Sequence, residues 1–223
     1  MSNPFKEFKK RDWILWIFSL ILVVISNINI SDGMVIIFIA AMVGVTSLIF
    51  AAKGNAWAQV LMIIFSILYG IISYSYRYWG EMITYLGMCM PMAIWSLVIW
   101  IKHPSKENRG EVEISKLTKK NIIYLIISTV VVTAIFYIIL CKFNTPNIYM
   151  STISVTTSFA AAALTMLRSS YYALAYAMND IVLIILWIIA SMENRMYVPM
   201  VINFMVFLIN DLYGFVNWKK REI

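Results

Sequence analysis

Eight stretches of roughly 20 apolar residues, each long enough to cross a bilayer as a helix, lie near 13–31, 34–52, 56–75, 82–101, 121–141, 148–167, 171–191 and 198–217. In lipid no water reaches the backbone amides, so such spans must satisfy their hydrogen bonds internally and fold as α-helices. The chain is 62% hydrophobic and 13% charged, against about half and a quarter in a soluble domain. That leaves too little polar surface to cover a globule in water, and the lipid bilayer is the expected partner. The net charge of +7 does not indicate nucleic-acid binding. The basic residues gather between apolar runs, where they orient a membrane protein. The first run follows Lys6, Lys9, Lys10 and Arg11 and superficially resembles a signal peptide. It is too long for one, no small-x-small cleavage site follows, and it reads as a retained helix. Cys89 and Cys141 form no spaced framework and say nothing about redox compartment.

Most connections are short, which makes neighbouring spans antiparallel. The exception is 102–120, polar and mixed in charge, with Pro104 and Gly110. With the N-terminus in the cytoplasm, 15 of the 18 Lys and Arg fall on the inner side, and only Arg77, Lys142 and Arg195 fall outside. The positive-inside rule therefore predicts a multi-pass protein of the cell membrane with both termini cytoplasmic. The two halves also repeat weakly. An offset of 115 puts Lys53 on Arg168 and Trp57 on Tyr172, and an offset of 118 puts Arg77 on Arg195, Met82 on Met200, Trp100 on Trp218 and Lys102 on Lys220. Four spans separate matched helices, so the repeats are parallel, an arrangement that places substrate at the repeat interface near the midplane. Recurring aromatic–basic helix ends are the alternative source of these matches.

The usual catalytic equipment is missing, so the chain reads as no enzyme. His103 is the single histidine, which removes histidine-based metal sites and triads. No phosphate-binding glycine loop is present, and neither a cofactor nor a metal is expected. Glu107, Glu111 and Glu113 lie among lysines and read as a solvated, charged loop. Polar residues within apolar helices carry the information, because a charge at the bilayer centre costs about 2.5–3.5 kcal/mol on insertion scales. Two acids qualify, Asp180 in the seventh run and Asp211 in the eighth, each following an asparagine, Asn179 and Asn210. Asn203, Asn210 and Asn217 recur every seven residues, within about 40° of one line along the helix, with Gly214 beside it. Such a stripe either faces a solute or bonds between helices. The sixth run is rich in Ser, Thr and Ala between Ser151 and Ala163, suiting close packing or a wet path. Pro91 interrupts the fourth run and predicts a kink. Trp13, Trp16, Trp79, Trp100 and Trp218 sit at run ends as interfacial anchors. Trp95, Tyr176 and Gln59 remain candidates for stacking on, or reading the amide of, a flat heteroaromatic solute.

At these residues the chain resembles the Pnu-type vitamin transporters, the family of the nicotinamide riboside transporters. The stretches YYALAYAMNDIVLIILW and VPMVINFMVFLINDLYGFVNWKK look like the family's last two helices. FSILYGIISYSYRYWGEMITYLGMCMPMAIWSLVIWIKHP looks like the matching pair in the first half. The likeness covers roughly 50–102 and 148–220, and is weak in the first and fifth runs. It implies an all-α membrane fold similar to SWEET sugar transporters: two parallel three-helix bundles, 34–101 and 148–223, joined through 102–147 containing a linker helix, with an extra helix in 1–33. The whole, 1–223, is one membrane domain. It also implies facilitated diffusion of a vitamin that a separate cytoplasmic kinase traps by phosphorylation, and a possible homo-oligomer. The family's Trp-x-x-x-Asn matches at Asn179, but Ala175 replaces the tryptophan, and Ala93 stands where glutamine follows Pro-Met. Thiamine, riboflavin or a deoxynucleoside therefore remain alternative solutes. A substrate-binding subunit of an ATP-driven importer remains an alternative role. A cysteine introduced into 102–120 is expected to react with impermeant thiol reagents only from the cytoplasmic side; labelling in intact cells would reverse the orientation.

Overall fold

The computed structural model describes residues 3–27, 35–75, 79–145 and 147–222; Arg77 and the end of the first apolar run lie outside them. Among the described residues the chain forms eight long helices. They are α1 (Lys10–Ser26), α2 (Val35–Ala52), α3 (Trp57–Ser75), α4 (Trp79–Lys102), α5 (Lys119–Lys142), α6 (Ile148–Met166), α7 (Tyr171–Glu193) and α8 (Val198–Arg221). Seven of them, α2 to α8, are long and apolar enough to span a bilayer. Helix α1, at 17 residues, is about 26 Å long, slightly short of the hydrocarbon core. Its Ile14, Ile17, Phe18, Ile21 and Ile25 face outward, while Asp12, Ser19 and Val23 are buried. Helix α5 buries only Leu140, and isoleucines and valines cover its surface, as lipid requires.

The two three-helix bundles, the linker helix and the N-terminal helix are all present. Helices α2, α3 and α4 pack in order, as do α6, α7 and α8, and the bundles meet where α2 lies on α8 and α4 lies on α6. Exchanging α2 with α6 and α4 with α8 turns one of these contacts into the other, as a two-fold axis along the membrane normal demands. The flanking helices obey the same exchange. Helix α1 packs on α2 and α8, and α5 on α6 and, more lightly, on α4.

Hydrogen bonds fix the register of the repeat at the end of the molecule where the basic residues collect. Asn55 N donates to Phe50 O, and Ser169 N to Leu164 O; Gly54 N donates to Ala51 O, and Arg168 N to Thr165 O. Gly54 and Arg168 both adopt positive φ, 70° and 56°. Asn55 Oδ1 then accepts from Trp57 N, as Ser169 Oγ accepts from Tyr171 N. The offset at this turn is therefore 114, not the expected 115, and Trp57 matches Tyr171. Aligning side-chain types paired two cations, whereas the backbone pairs the two left-handed residues that end α2 and α6. For Trp100 and Trp218 the offset of 118 holds, and the pair is reciprocal. Trp100 Nε1 donates to Thr165 O at 3.0 Å and Trp218 Nε1 to Ala51 O at 2.9 Å, each reaching the equivalent carbonyl of the opposite bundle. The two indoles meet with centroids 5.6 Å apart.

The segment 103–118 is more than a solvated connection. Val112 N donates to Gly54 O and Ser115 N to Arg168 O, so it is pinned to both repeat-related turns. Glu111, expected among solvated charges, pairs with Arg221 at 3.0 Å, and Arg221 also donates to the carbonyls of Lys53 and Val112. Glu113 lies 3.7 Å from Arg168. At the same end Asp12 is wholly buried. It accepts from Lys9 N and Tyr213 Oη and pairs with Lys53 at 3.4 Å, which locks α1 to α2 and α8. Removing one member of a buried pair leaves the other charge unpaired at a cost of about 3–5 kcal/mol. Asp12→Ala is therefore expected to lower the detergent-solubilised unfolding temperature sharply, and Asp12→Leu combined with Lys53→Met to recover much of the loss.

Candidate functional site

Six helices, three from each bundle, line a cavity between the repeats, the place where parallel-repeat transporters hold their substrate. Helices α1 and α5 contribute nothing to its wall. Gly44 allows α8 to approach α2; a Cβ there would stand 2.7 Å from Phe207 Cζ. Helix α4 enters the wall through a π-helical turn, Tyr85–Cys89. Pro91 has no N–H to donate, and the chain widens one turn before it, with Met90 N donating to Tyr85 O. The expected kink at Pro91 is thus a local π turn, a feature often found at functional sites. It places Tyr85, Cys89, Met92 and Ala93 along the cavity.

The repeat register matches opposite walls residue by residue. Offsets of 114 and 118 pair Gly44 with Ser158, Leu48 with Ala162, Met62 with Tyr176, Phe65 with Asn179, Cys89 with Phe207 and Ala93 with Asp211, and all twelve line the cavity. The first bundle supplies apolar, aromatic and sulfur side chains at these positions. The second supplies a hydroxyl, a phenol, an amide and a carboxyl.

On the polar wall, Asn179 is oriented by α6. Its Oδ1 faces the hydroxyls of Thr157 at 2.8 Å, Ser158 at 3.1 Å and Ser154 at 3.4 Å. With the carbonyl oxygen so occupied, the amide offers a solute its NH₂ donor. The serine- and threonine-rich α6 therefore both packs closely and positions a cavity residue. Asp180 and Asp211 also line the cavity, and their carboxyl groups lie within hydrogen-bonding reach of each other. Tyr176 joins them, and buried Gln59 lines the cavity from α3 of the first bundle. The positions where the resemblance expected glutamine and tryptophan hold Ala93, in the wall, and Ala175, outside it.

Four other residues singled out in the sequence do not reach this cavity. Trp95 is 63% exposed on the outer face of α4. Asn210 is buried but turned toward α1, its Nδ2 donating to Ser19 Oγ at 2.9 Å and to Val206 O. One residue is about 100° of helix, so the step from Asn210 to Asp211 crosses from α1 to the cavity. Asn217 accepts from Arg11 and donates to Ala52 O, and Asn203 lines a smaller space beside α2 and α3. Asn210 and Asn217 thus bond between helices, while Asn203 lines a separate space. The seven-residue spacing leaves solute contact and interhelical bonding both open, because periodicity locates a face without naming its neighbour. The sequence reading passed over Met62, Phe65, Tyr85, Ser96, Phe204 and Phe207, apolar-run residues whose cavity position depends on the repeat axis.

Residues 34–220 match the family described as nicotinamide mononucleotide transporter. The chain belongs to that family. It is 26% identical over 186 residues to the nicotinamide riboside transporter PnuC of Neisseria mucosa, covering 82% of this chain and 71% of the relative. The PnuC of Haemophilus influenzae is also 26% identical, over 183 residues, with 82% and 78% covered. A crystal structure of the vitamin B3 transporter PnuC superposes with a TM-score of 0.82 at 23% identity, covering 96% of this chain and 92% of that one, so the fold is shared. Family membership and the seven apolar helices together make this a multi-pass membrane transporter.

Losing one hydrogen bond in a buried site costs about 1–3 kcal/mol, or roughly 5- to 150-fold in affinity. Asn179→Ala is expected to weaken binding by that factor for whichever of nicotinamide riboside, thiamine, riboflavin or nucleosides raises the thermal stability of the wild-type chain. Trp95→Ala is expected to leave the affinity unchanged. Isothermal titration of both variants checks the pair.

Proposed function

We propose that this chain takes up nicotinamide riboside, or a closely related vitamin or nucleoside, by facilitated diffusion. The observation that carries this reading is the cavity between the two parallel repeats, walled on one side by rings and methionines and on the other by Asn179, Asp180, Tyr176 and Asp211. A heteroaromatic ring would lie against the apolar wall, while the amide and carboxyl groups read its polar substituents. The named relatives, nicotinamide riboside transporters, support the same solute. The basic end would face the cytoplasm, in keeping with the distribution of Lys and Arg, and the membrane would be the cell or inner membrane.

At the basic end Trp100, Trp218 and Arg221 bond between the bundles. Rocking one bundle against the other would break these bonds and open the cavity toward that side. No phosphate-binding loop offers ATP as a drive, so net uptake would depend on the solute gradient and on trapping by a separate kinase.

Purified chain in proteoliposomes is expected to equilibrate labelled nicotinamide riboside to equal concentrations inside and out, whatever proton or sodium gradient is imposed. Accumulation above equality under an inward proton gradient, abolished by Asp180→Asn, would show coupled transport. No entry without added ATPase subunits would instead favour the importer-subunit reading.

A further inference from the structure

We infer that Asp180 and Asp211 form the subsite for a positively charged ring, selecting a cationic pyridinium solute over a neutral one of the same shape. This rests on the solute reading above and adds a charge preference to it. The two residues come from adjacent helices, α7 and α8, are each 4% exposed, and present their carboxyl groups to each other at the cavity wall. No conventional donor of the described residues bonds to Asp180 Oδ2, although that atom is buried. Asp12, buried at the basic end, is matched by Lys53 and Tyr213. The cavity pair has no such match, for no Lys, Arg or His lines the wall, and its other titratable groups are the phenols of Tyr85 and Tyr176 and the thiol of Cys89. None of these brings a positive charge.

Two carboxyl groups held at this range in a low-dielectric interior repel when ionised, and a cation placed between them relieves that repulsion. Across the cavity Phe65 and Tyr85 present rings, and Phe207 stands one turn before Asp211 on α8; their π-faces attract a cation as well as stack on a flat solute. The ring nitrogen of nicotinamide riboside is quaternary, so its charge is permanent. Its carbocyclic counterpart, benzamide riboside, has the same outline without the charge.

Full-length chain in nanodiscs, titrated with both ribosides, provides the test. The wild type is expected to bind the cation at least about tenfold more tightly, the scale of one partly screened ion pair. Asp180→Asn and Asp211→Asn are each expected to erase the preference by weakening binding of the cation more than that of benzamide riboside, and Asp211→Glu to retain it. A wild type with no preference, or folded Asn variants that lose both ligands equally, would overturn the assignment. Should an Asn variant fail to fold, the preference of the wild type and its retention in Asp211→Glu decide. Should the wild type bind neither riboside, the solute reading fails, and the charge assignment is decided with 1-methylnicotinamide against the neutral 3-methylbenzamide. A cation preference there upholds the subsite, and its absence overturns it.

Discussion

A chain dissolved in lipid has nowhere outside itself to put a polar group, and this constraint governs the molecule from its helices to its cavity. Threonines of α6 answer it locally: Thr152, Thr156 and Thr165 each donate to the carbonyl four residues earlier. Asparagine and aspartate carry more polar atoms than one such bond can satisfy, so Asn210, which also bonds Val206 O, turns toward another helix as well. Those facing α1 and α2 found fixed partners in the protein, as Asn210 did with Ser19 and Asn217 with Arg11 and Ala52. Those facing the repeat axis meet a cavity instead. The same pressure that drives polar side chains off the lipid surface thus divides them into structural groups and groups available to a solute.

The basic end shows how the repeat converts helix termini into an inter-bundle lock. The last carbonyls of a helix lack intrahelical donors, and Ala51 and Thr165 stand near the ends of α2 and α6. Each receives an indole N–H from the other bundle, through Trp218 and Trp100. The linker segment then uses the next turn, taking Gly54 O and Arg168 O as acceptors for Val112 and Ser115. Duplicated backbone thereby offers duplicated acceptors, and one segment ties both. Gly54 is required in this crowding: its φ is positive, and a Cβ would meet the Arg221 guanidinium at 2.8 Å.

Much of this was legible in the chain and some was not, for identifiable reasons. Span number and the parallel repeat follow from apolar run length and helix count, which lipid enforces directly. Asn179 and Asp180 were legible as site candidates because a polar pair deep in an apolar run has few uses. Asn203, Asn210 and Asn217 carried the same signal with a different outcome, since helical periodicity cannot say whether the neighbour is a cavity or α1. Trp95 failed for the converse reason: an aromatic ring is as comfortable against lipid as against a solute, so its type does not fix its side. The register at α2 and α6 was off by one because backbone conformation, not side-chain charge, equates Gly54 with Arg168.

The cavity's asymmetry explains how a two-fold scaffold can hold a solute that has no two-fold symmetry. A duplicated wall begins with equivalent positions, and recognition of a ring with one polar edge requires those positions to diverge. Phe65 opposite Asn179, Met62 opposite Tyr176 and Ala93 opposite Asp211 are such divergences, made at sites whose backbone remains equivalent. Divergence in the lock would be costly, because losing either Trp100 or Trp218 removes a buried hydrogen bond to the opposite bundle. Divergence in the wall costs little, because a cavity side chain is not committed to a partner helix. A solute gripped mainly by the second bundle can then remain seated on α7 and α8 while the apolar first wall moves past it. Rigid-body rocking of the repeats would then change access without rebuilding the polar contacts, which is compatible with a cavity whose oriented amide is held by α6 and α7 of one bundle alone.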